Sequence, residues 1–307
     1  MENDGTDVAE VRKQDFECDG PVEVSVELGS GGLHIKLTEG GAGTGSVTVQ
    51  VRPDPAGRPQ WSTGFEGLLT WLGEQAGTAP PGELAAEAVR RTVIDFTGGR
   101  LTVRTPRELP LRSVPLEIQV TVPSSSSITA RSGSADIDID GVTGRLDAST
   151  GSGQVRAEPR TGAVDVRTGS GDVRLGAVLG KLRIRTGSGE VDVSSMMGGA
   201  GGTVQTGSGD VRLGTVGHDL NARTGSGDLT VVDASAGGLE LTTGSGQLRV
   251  GIHTGVRAEL DVSSGSGRAR SDLPVGGPPA EGDVTLRVRA RTGSGDALVT
   301  AAPSGLA

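Results

Sequence analysis

The 307 residues predict an all-β fold, a β-solenoid of about 18–20-residue coils, and three observations carry that expectation. A Gly-Ser turn recurs at Gly133, Gly151, Gly169, Gly187, Gly207, Gly225, Gly244, Gly265 and Gly293, at intervals of 18, 18, 18, 20, 18, 19, 21 and 28 residues. On either side of each turn apolar and polar residues alternate, which is the period of a strand. All five aromatic residues (Phe16, Trp61, Phe65, Trp71 and Phe96) precede residue 97, and tyrosine is absent. The remainder must therefore pack in thin layers of Val, Leu, Ile and Ala.

Fixed-period self-similarity is the signature of a repeat architecture. The copies read VDVRTGSGDVRL from Val164, LRIRTGSGEVDV from Leu182 and LNARTGSGDLTV from Leu220. Each holds a short strand, a T-G-S-G turn, a second strand and a glycine-containing return. A second glycine completes the turn at Gly171, Gly189, Gly209, Gly227 and Gly246. These glycines are expected to turn the chain because glycine accepts positive φ without a side-chain clash. A meander of hairpins could use the same turns. Equal repeats place equivalent residues in register, however, and that favours a stacked solenoid over residues 131–302. The longer late intervals read as insertions, at Met196-Met197-Gly-Gly-Ala-Gly-Gly and at 271–282.

Before residue 131 the pattern is irregular. Strand-like runs occupy Val22–Leu28, Leu33–Leu37, Val47–Val51, Leu101–Arg104, Leu116–Val122 and Ile128–Arg131. Residues 61–91 carry apolar residues at helical spacing, broken at Pro80-Pro81, and are expected to form a short helical insertion that caps an open coil. Residues 1–14 are expected to be a disordered acidic tail, 15–130 the N-terminal strand region and 303–307 a C-terminal tail.

The phrase LEIQVTVPSSSSITARSGSADIDI from Leu116, followed by iterated TGSGD[VL]x[LV], resembles the bacterial β-strand-repeat "putative adhesin" family, over roughly residues 15–302. The resemblance implies a right-handed β-solenoid with an irregular N-terminal portion, and no catalytic residues.

The net charge of −9 is concentrated early: residues 1–27 hold nine acids against Arg12 and Lys13, while residues 131–307 hold 20 acids and 18 bases. No basic groove for nucleic acid follows from that balance. One cysteine, Cys18, permits no internal disulfide. No run reaches the roughly 18 apolar residues of a membrane span. The N-terminus lacks the basic and apolar regions of a secretory signal, so a cytoplasmic location is expected.

Chemistry is sparse. The column after the turn reads Asp136, Gln154, Asp172, Glu190, Asp210, Asp228, Gln247, Arg268 and Asp296. Calcium-binding nonapeptide repeats put a residue between glycine and aspartate. Here the acid follows glycine directly, so a solvated ladder is expected, paired with Arg131, Arg167, Arg185, Arg223 and Arg291. The threonines Thr150, Thr168, Thr186, Thr206, Thr224, Thr243 and Thr292 read as a hydroxyl ladder supporting the turns. His34, His218 and His253 are scattered, and no G-x-S-x-G, H-E-x-x-H or P-loop occurs. Trp61, Phe65, Leu69 and Trp71 form a possible docking patch for a protein partner, or through 61–72 for a membrane surface, beside the alternative of core packing. The reading is a non-enzymatic scaffold or protein-binding module without cofactor or metal, open to self-association. Its alternatives are a carbohydrate-active solenoid enzyme and a calcium-stabilised adhesin-like surface protein.

Overall fold

The computed structural model describes residues 11–39, 45–54, 81–274 and 284–303. It divides into two compact units, Met1–Asp140 and Gly141–Ala307.

In chain order the first unit holds β1 (Arg12–Cys18), β2 (Glu23–Leu28), β3 (Gly31–Thr38) and β4 (Gly45–Pro53). Helix α1 (Pro81–Arg91), β5 (Val93–Thr97) and β6 (Arg100–Arg104) follow. After a single 3-10 turn at Leu111–Ser113 come β7 (Leu116–Pro123), β8 (Ser127–Ser132) and the start of β9 (Asp136–Thr150). Alternation sets the inward faces: Val24, Val26 and Leu28, then Leu33, Ile35 and Leu37, are buried.

The pairing does not follow chain order. β2 lies parallel between β6 and β8, with Val24 opposite both Leu101 and Ile128. β3 lies parallel between β7 and β9. The coil nearest the N-terminus is thus held between two later ones. Beyond it β7–β4–β1 and β6–β5 continue antiparallel. β1 begins at Arg12, so the segment expected to be a disordered tail through residue 14 gives up Arg12–Gln14 to a strand, where alternation already operates. Of the expected helical insertion, 81–91 is α1, which buries Ala88 and Val89 and packs on β4 and the 3-10 turn; residues 61–80 lie outside the described residues. Arg12 donates to the Arg90 carbonyl at 3.1 Å and the Thr92 carbonyl at 2.5 Å, a cation at the helix C-terminus where the dipole favours it.

The second unit repeats one unit of structure. After β10 (Val155–Thr168) come β11 (Val173–Val178), β12 (Leu182–Thr186), β13 (Val191–Met196) and β14 (Gly202–Thr206). Then follow β15 (Val211–Val216), β16 (Leu220–Thr224), β17 (Leu229–Ala234), β18 (Gly237–Thr243) and β19 (Leu248–Ile252). The last four are β20 (Ala258–Ser264), β21 (Ala269–Ser271), β22 (Leu286–Thr292) and β23 (Ala297–Ala301).

Strands that precede a turn form one parallel ladder and strands that follow it form another. Val166 pairs with Ile184 and Val173 with Val191, each with its equivalent in the next coil. Among the described residues no antiparallel hairpin forms within a copy. This is a β-solenoid-like repeat, and the meander is ruled out. Inward columns such as Leu182, Ile184, Val191 and Val193 are buried and stack on their equivalents.

Stacking departs from chain order once. β22 lies between β18 and β20, and β23 between β19 and β21. The long intervals before Gly265 and Gly293 are therefore not simple insertions: the last coil enters the stack one place early, and coil 258–271 takes the edge. Its inward residues give the reason. Coil 286–301 points Leu286, Val288, Ala290, Ala297 and Val299 inward and buries all of them. Coil 258–271 offers Ala258, Leu260, Val262, Ala269 and Ser271, none fully buried. The more apolar coil occupies the position covered on both sides.

Candidate functional site

Three features of the second unit bear on function: its turn edge, its two outward faces and a groove at its returns.

At the turn edge, Thr168 Oγ1 accepts the Gly171 N–H at 2.9 Å, and Thr186, Thr206, Thr224, Thr243 and Thr292 repeat this three-residue bond. Thr243 also donates to the Gly227 carbonyl of the preceding coil at 2.9 Å. The threonines are buried and structural.

The glycines play a different part from the one expected. Among the described residues no T-G-S-G glycine has positive φ. A Cβ on Gly169 would instead come within 2.5 Å of the Gly151 carbonyl oxygen, and one on Gly171 would meet the Gly153 oxygen even closer. Gly187, Gly189, Gly207, Gly209, Gly225, Gly227, Gly244, Gly246, Gly265 and Gly293 are confined in the same way, while in the first unit Gly133 meets Gly29. Coil stacking, not backbone handedness, demands glycine there. Gly29-Ser30-Gly31 is a further Gly-Ser-Gly turn outside the repeat frame, and it differs from the others in that Gly31 takes a positive φ of 113°.

The outward faces carry charge in columns. Asp172 Oδ1 accepts the Glu190 N–H at 3.0 Å, Asp210 the Asp228 N–H at 2.7 Å, Asp228 the Gln247 N–H at 2.7 Å and Asp296 the Arg268 N–H at 2.9 Å. Each carboxylate thus binds the next coil. The expected arginine partners are corrected here. Arg167 pairs with Asp165 at 3.0 Å, Arg223 with Glu240 at 3.4 Å and Arg291 with Asp261 at 3.4 Å, while Asp172 meets Arg174 at 3.2 Å. An arginine before the turn and an acid after it sit on different ladders, so they cannot meet along one face. In the first unit Arg131 lies 4.0 Å from Glu27. Arg185, next to Arg167 in register, holds no carboxylate among the described residues.

The groove, about 630 Å³, opens where the return at 197–201 is two residues longer than its neighbours. Lys181, Gly201, Thr203, Asp219, Asn221 and Glu240 line it. Gly202 stands where the neighbouring coils have Leu182 and Leu220, and the Met196 methyl fills that space. Both groove carboxylates are engaged: Asp219 accepts the Gly238 N–H at 2.7 Å and Glu240 the Asn221 amide at 2.6 Å. The lengthened glycine-rich return is the sequence signal for this groove, although its composition reads as a plain insertion. His218 reaches the Met197 carbonyl at 3.0 Å and His253 the Asp233 carboxylate at 3.0 Å; in the first unit His34 lies 3.5 Å from Asp138.

In the first unit, paired hydrogen bonds from Arg52 at 2.9 and 2.7 Å hold the Glu117 carboxyl below its usual range. Burial pushes the Cys18 thiol up. Among the described residues no three His, Cys, Asp or Glu side chains are grouped to hold a metal ion, and no helix is long and apolar enough to cross a membrane. The docking patch Trp61, Phe65, Leu69 and Trp71 lies outside the described residues.

Residues 97–300 match the family model described as Toastrack DUF4097. The chain belongs to the Toastrack DUF4097 family. No curated protein matches it. Among solved structures, this Toastrack chain is similar to a "putative adhesin" from Parabacteroides merdae, with 12% identity, coverage of 94% of this chain and 96% of that one, and a TM-score of 0.39. A "putative adhesin" from Bacteroides fragilis matches at 10% identity, 94% and 97% coverage and a TM-score of 0.38. A "putative lipid binding protein" from Parabacteroides distasonis matches at 13% identity, 93% and 96% coverage and a TM-score of 0.39.

Proposed function

We propose that this Toastrack chain is a non-enzymatic binding module that presents a flat, charged ladder face to a protein partner. The observation that carries the reading is the outward column Arg167, Arg185, Gln205, Arg223, Thr242, Arg291 and Ser263, in unbroken register on the pre-turn ladder. Adjacent parallel strands lie about 4.8 Å apart, so the column offers evenly spaced donors on a rigid plane. An acid–base pair for glycoside cleavage needs two carboxylates facing each other across a substrate. The carboxylates of the post-turn ladder follow one another along a single face and bind backbone amides of the next coil.

The test is affinity capture with the full chain and with Arg185→Glu. The reading expects a captured protein that binds the wild type directly after purification and binds Arg185→Glu about tenfold or more weakly, with the variant melting as the wild type does. Equal capture by both chains, or turnover of a polysaccharide by the purified wild type, would overturn it.

A further inference from the structure

The second unit ends on a coil paired on one side only. β20 pairs with β22 and β21 with β23, and among the described residues neither has another strand partner. Both ladders stop at this coil, so two rows of backbone N–H and C=O groups reach the edge together. The core is open there as well. Leu260 and Val262 are only half-buried, whereas Val288 and Ala290, their equivalents one coil inward, are 2% and 0% exposed. In the interior, the Gly151 carbonyl accepts the Gly169 and Ser170 N–H groups of the next coil at 2.9 and 3.2 Å. The Gly265 carbonyl receives no such bond among the described residues.

The two edge strands carry opposite charge on their outward sides. β20 shows Glu259, which meets Arg287 at 3.1 Å, and Asp261, which meets Arg289 at 3.1 Å and Arg291 at 3.4 Å, both acids staying more than half exposed; β21 follows Arg268 and shows Arg270. A two-fold axis that exchanges the ladders would lay β20 of one copy on β21 of the other, acids on arginines, twice over. An axis that leaves each ladder on its own side would lay β20 on β20 and set Glu259 and Asp261 against like charges. Charge selects the first arrangement. It is isologous, so it closes at two copies.

We propose that the β20–β21 edge is a self-association surface joining two copies of this chain by reciprocal β20–β21 pairing. The inference rests on the binding-module reading and names a second copy as one partner.

Sedimentation equilibrium of the full chain tests it with wild type, Glu259→Arg, Arg270→Glu and an equimolar mixture of the two variants. Wild type should show a reversible monomer–dimer equilibrium that weakens with salt. Each reversal places like charges at both contacts and should weaken the dimer about tenfold or more. In the mixture every contact is complementary again, so a heterodimer should form at concentrations where each variant alone is monomeric. Melting curves establish that the variants fold. Should a reversal unfold, Glu259→Gln and Arg270→Gln replace them; each should weaken the dimer, and their mixture should recover part of it, because one of the two Glu259–Arg270 contacts is intact again. Monomer at every concentration, growth beyond a dimer, wild-type dimerisation by the reversals, or no gain on mixing would overturn the inference. A monomeric wild type that still captures a protein through the Arg185 column would overturn this inference alone.

Discussion

The first unit's last strands, β1 and β5, and the second unit's last strands, β20 and β21, all pair on one side only among the described residues, yet they are finished differently. β1 and β5 join their ladders antiparallel, and Phe16 and Phe96 meet between them with ring centroids 5.2 Å apart. Two rings close the core in one layer, and α1 is tied to β1 through Arg12. β20 and β21 keep the parallel register of the repeat and bring only Ala258, Leu260, Val262, Ala269 and Ser271 to the opening. A solenoid made of thin aliphatic layers can end a core with aromatic rings or leave it for another surface to cover. The described aromatics are spent entirely at the first kind of edge.

The largest effect should come from the repeat interior. A Cβ on Gly209 would run into the Gly189 carbonyl, with a coil packed on either side. Gly209→Ala should cost about 3 kcal/mol, as overpacking in a well-packed site does. Gly267→Ala meets Gly295 in the same way, but the edge coil is free to shift outward, so about 1 kcal/mol is expected. Equal shifts in urea midpoint would show that the edge coil is held as tightly as the interior.

Next come the edges themselves. Phe16→Ala removes a half-buried ring that touches Phe96 and should cost about 2 kcal/mol. A double-mutant cycle with Phe96→Ala should recover a coupling of about 1 kcal/mol. Leu260→Ala, on the bare edge, should cost about 1 kcal/mol in the monomer, because part of that side chain already faces water. A larger loss for Leu260 than for Phe16 would reverse the comparison.

The antiparallel finish also has an ionic tie. Arg52 on β4 opposes Glu117 on β7, with side-chain exposures of 44% and 14%. The hydrogen bonds from Arg52 lower the Glu117 pKa in the folded state, against an ordinary value of 4.5. A depressed carboxyl contributes stability above its unfolded pKa and loses it as pH falls through the folded one. Glu117→Gln should therefore destabilise by about 1 kcal/mol at neutral pH, a figure reduced because Arg52 is solvent-screened. Below pH 4.5 the wild-type and variant melting curves should converge. A difference that persists in acid would assign the effect to packing.

Much of the repeat is legible in the sequence, because every copy must reproduce the same turn chemistry. The T-G-S-G frame, the inward Val and Leu columns and the supporting threonines can be read directly. The cause of the glycines is not, since a clash with the neighbouring coil is a contact made a full repeat away along the chain and leaves the same letter as a positive φ. Spatial order is hidden for a similar reason. The long intervals before Gly265 and Gly293 look like insertions, and only the poorer inward set Ala258, Leu260, Val262, Ala269 and Ser271 marks coil 258–271 as the one for the edge. Arg167 and Asp172 are close in the chain and look like partners, but the turn between them sends the two side chains to different ladders.

The smallest expected effect concerns Asp210, and it separates a backbone-binding carboxylate from a metal ligand. Asp210 is exposed and accepts the Asp228 N–H at 2.7 Å. Its neighbours in the column, Glu190 and Asp228, add like charge at the strand spacing of about 4.8 Å, a repulsion of about 0.9 kcal/mol in water before screening. Asp210→Asn keeps an oxygen for the amide and removes the repulsion, so its melting temperature should match or slightly exceed wild type at low salt. Asp210→Ala loses the acceptor and should fall by about 0.5 kcal/mol, the low end for a hydrogen bond at an exposed site. Next to the edge coil, Asp296 accepts the Arg268 N–H beside a cation instead of another acid. There Asp296→Asn should lose stability where Asp210→Asn does not. Melts of the three variants with calcium and with chelator complete the test: if the column only binds backbone, the two conditions superimpose for each protein. A calcium-dependent rise in wild type that disappears in Asp210→Asn would make the column a metal site and end the structural reading.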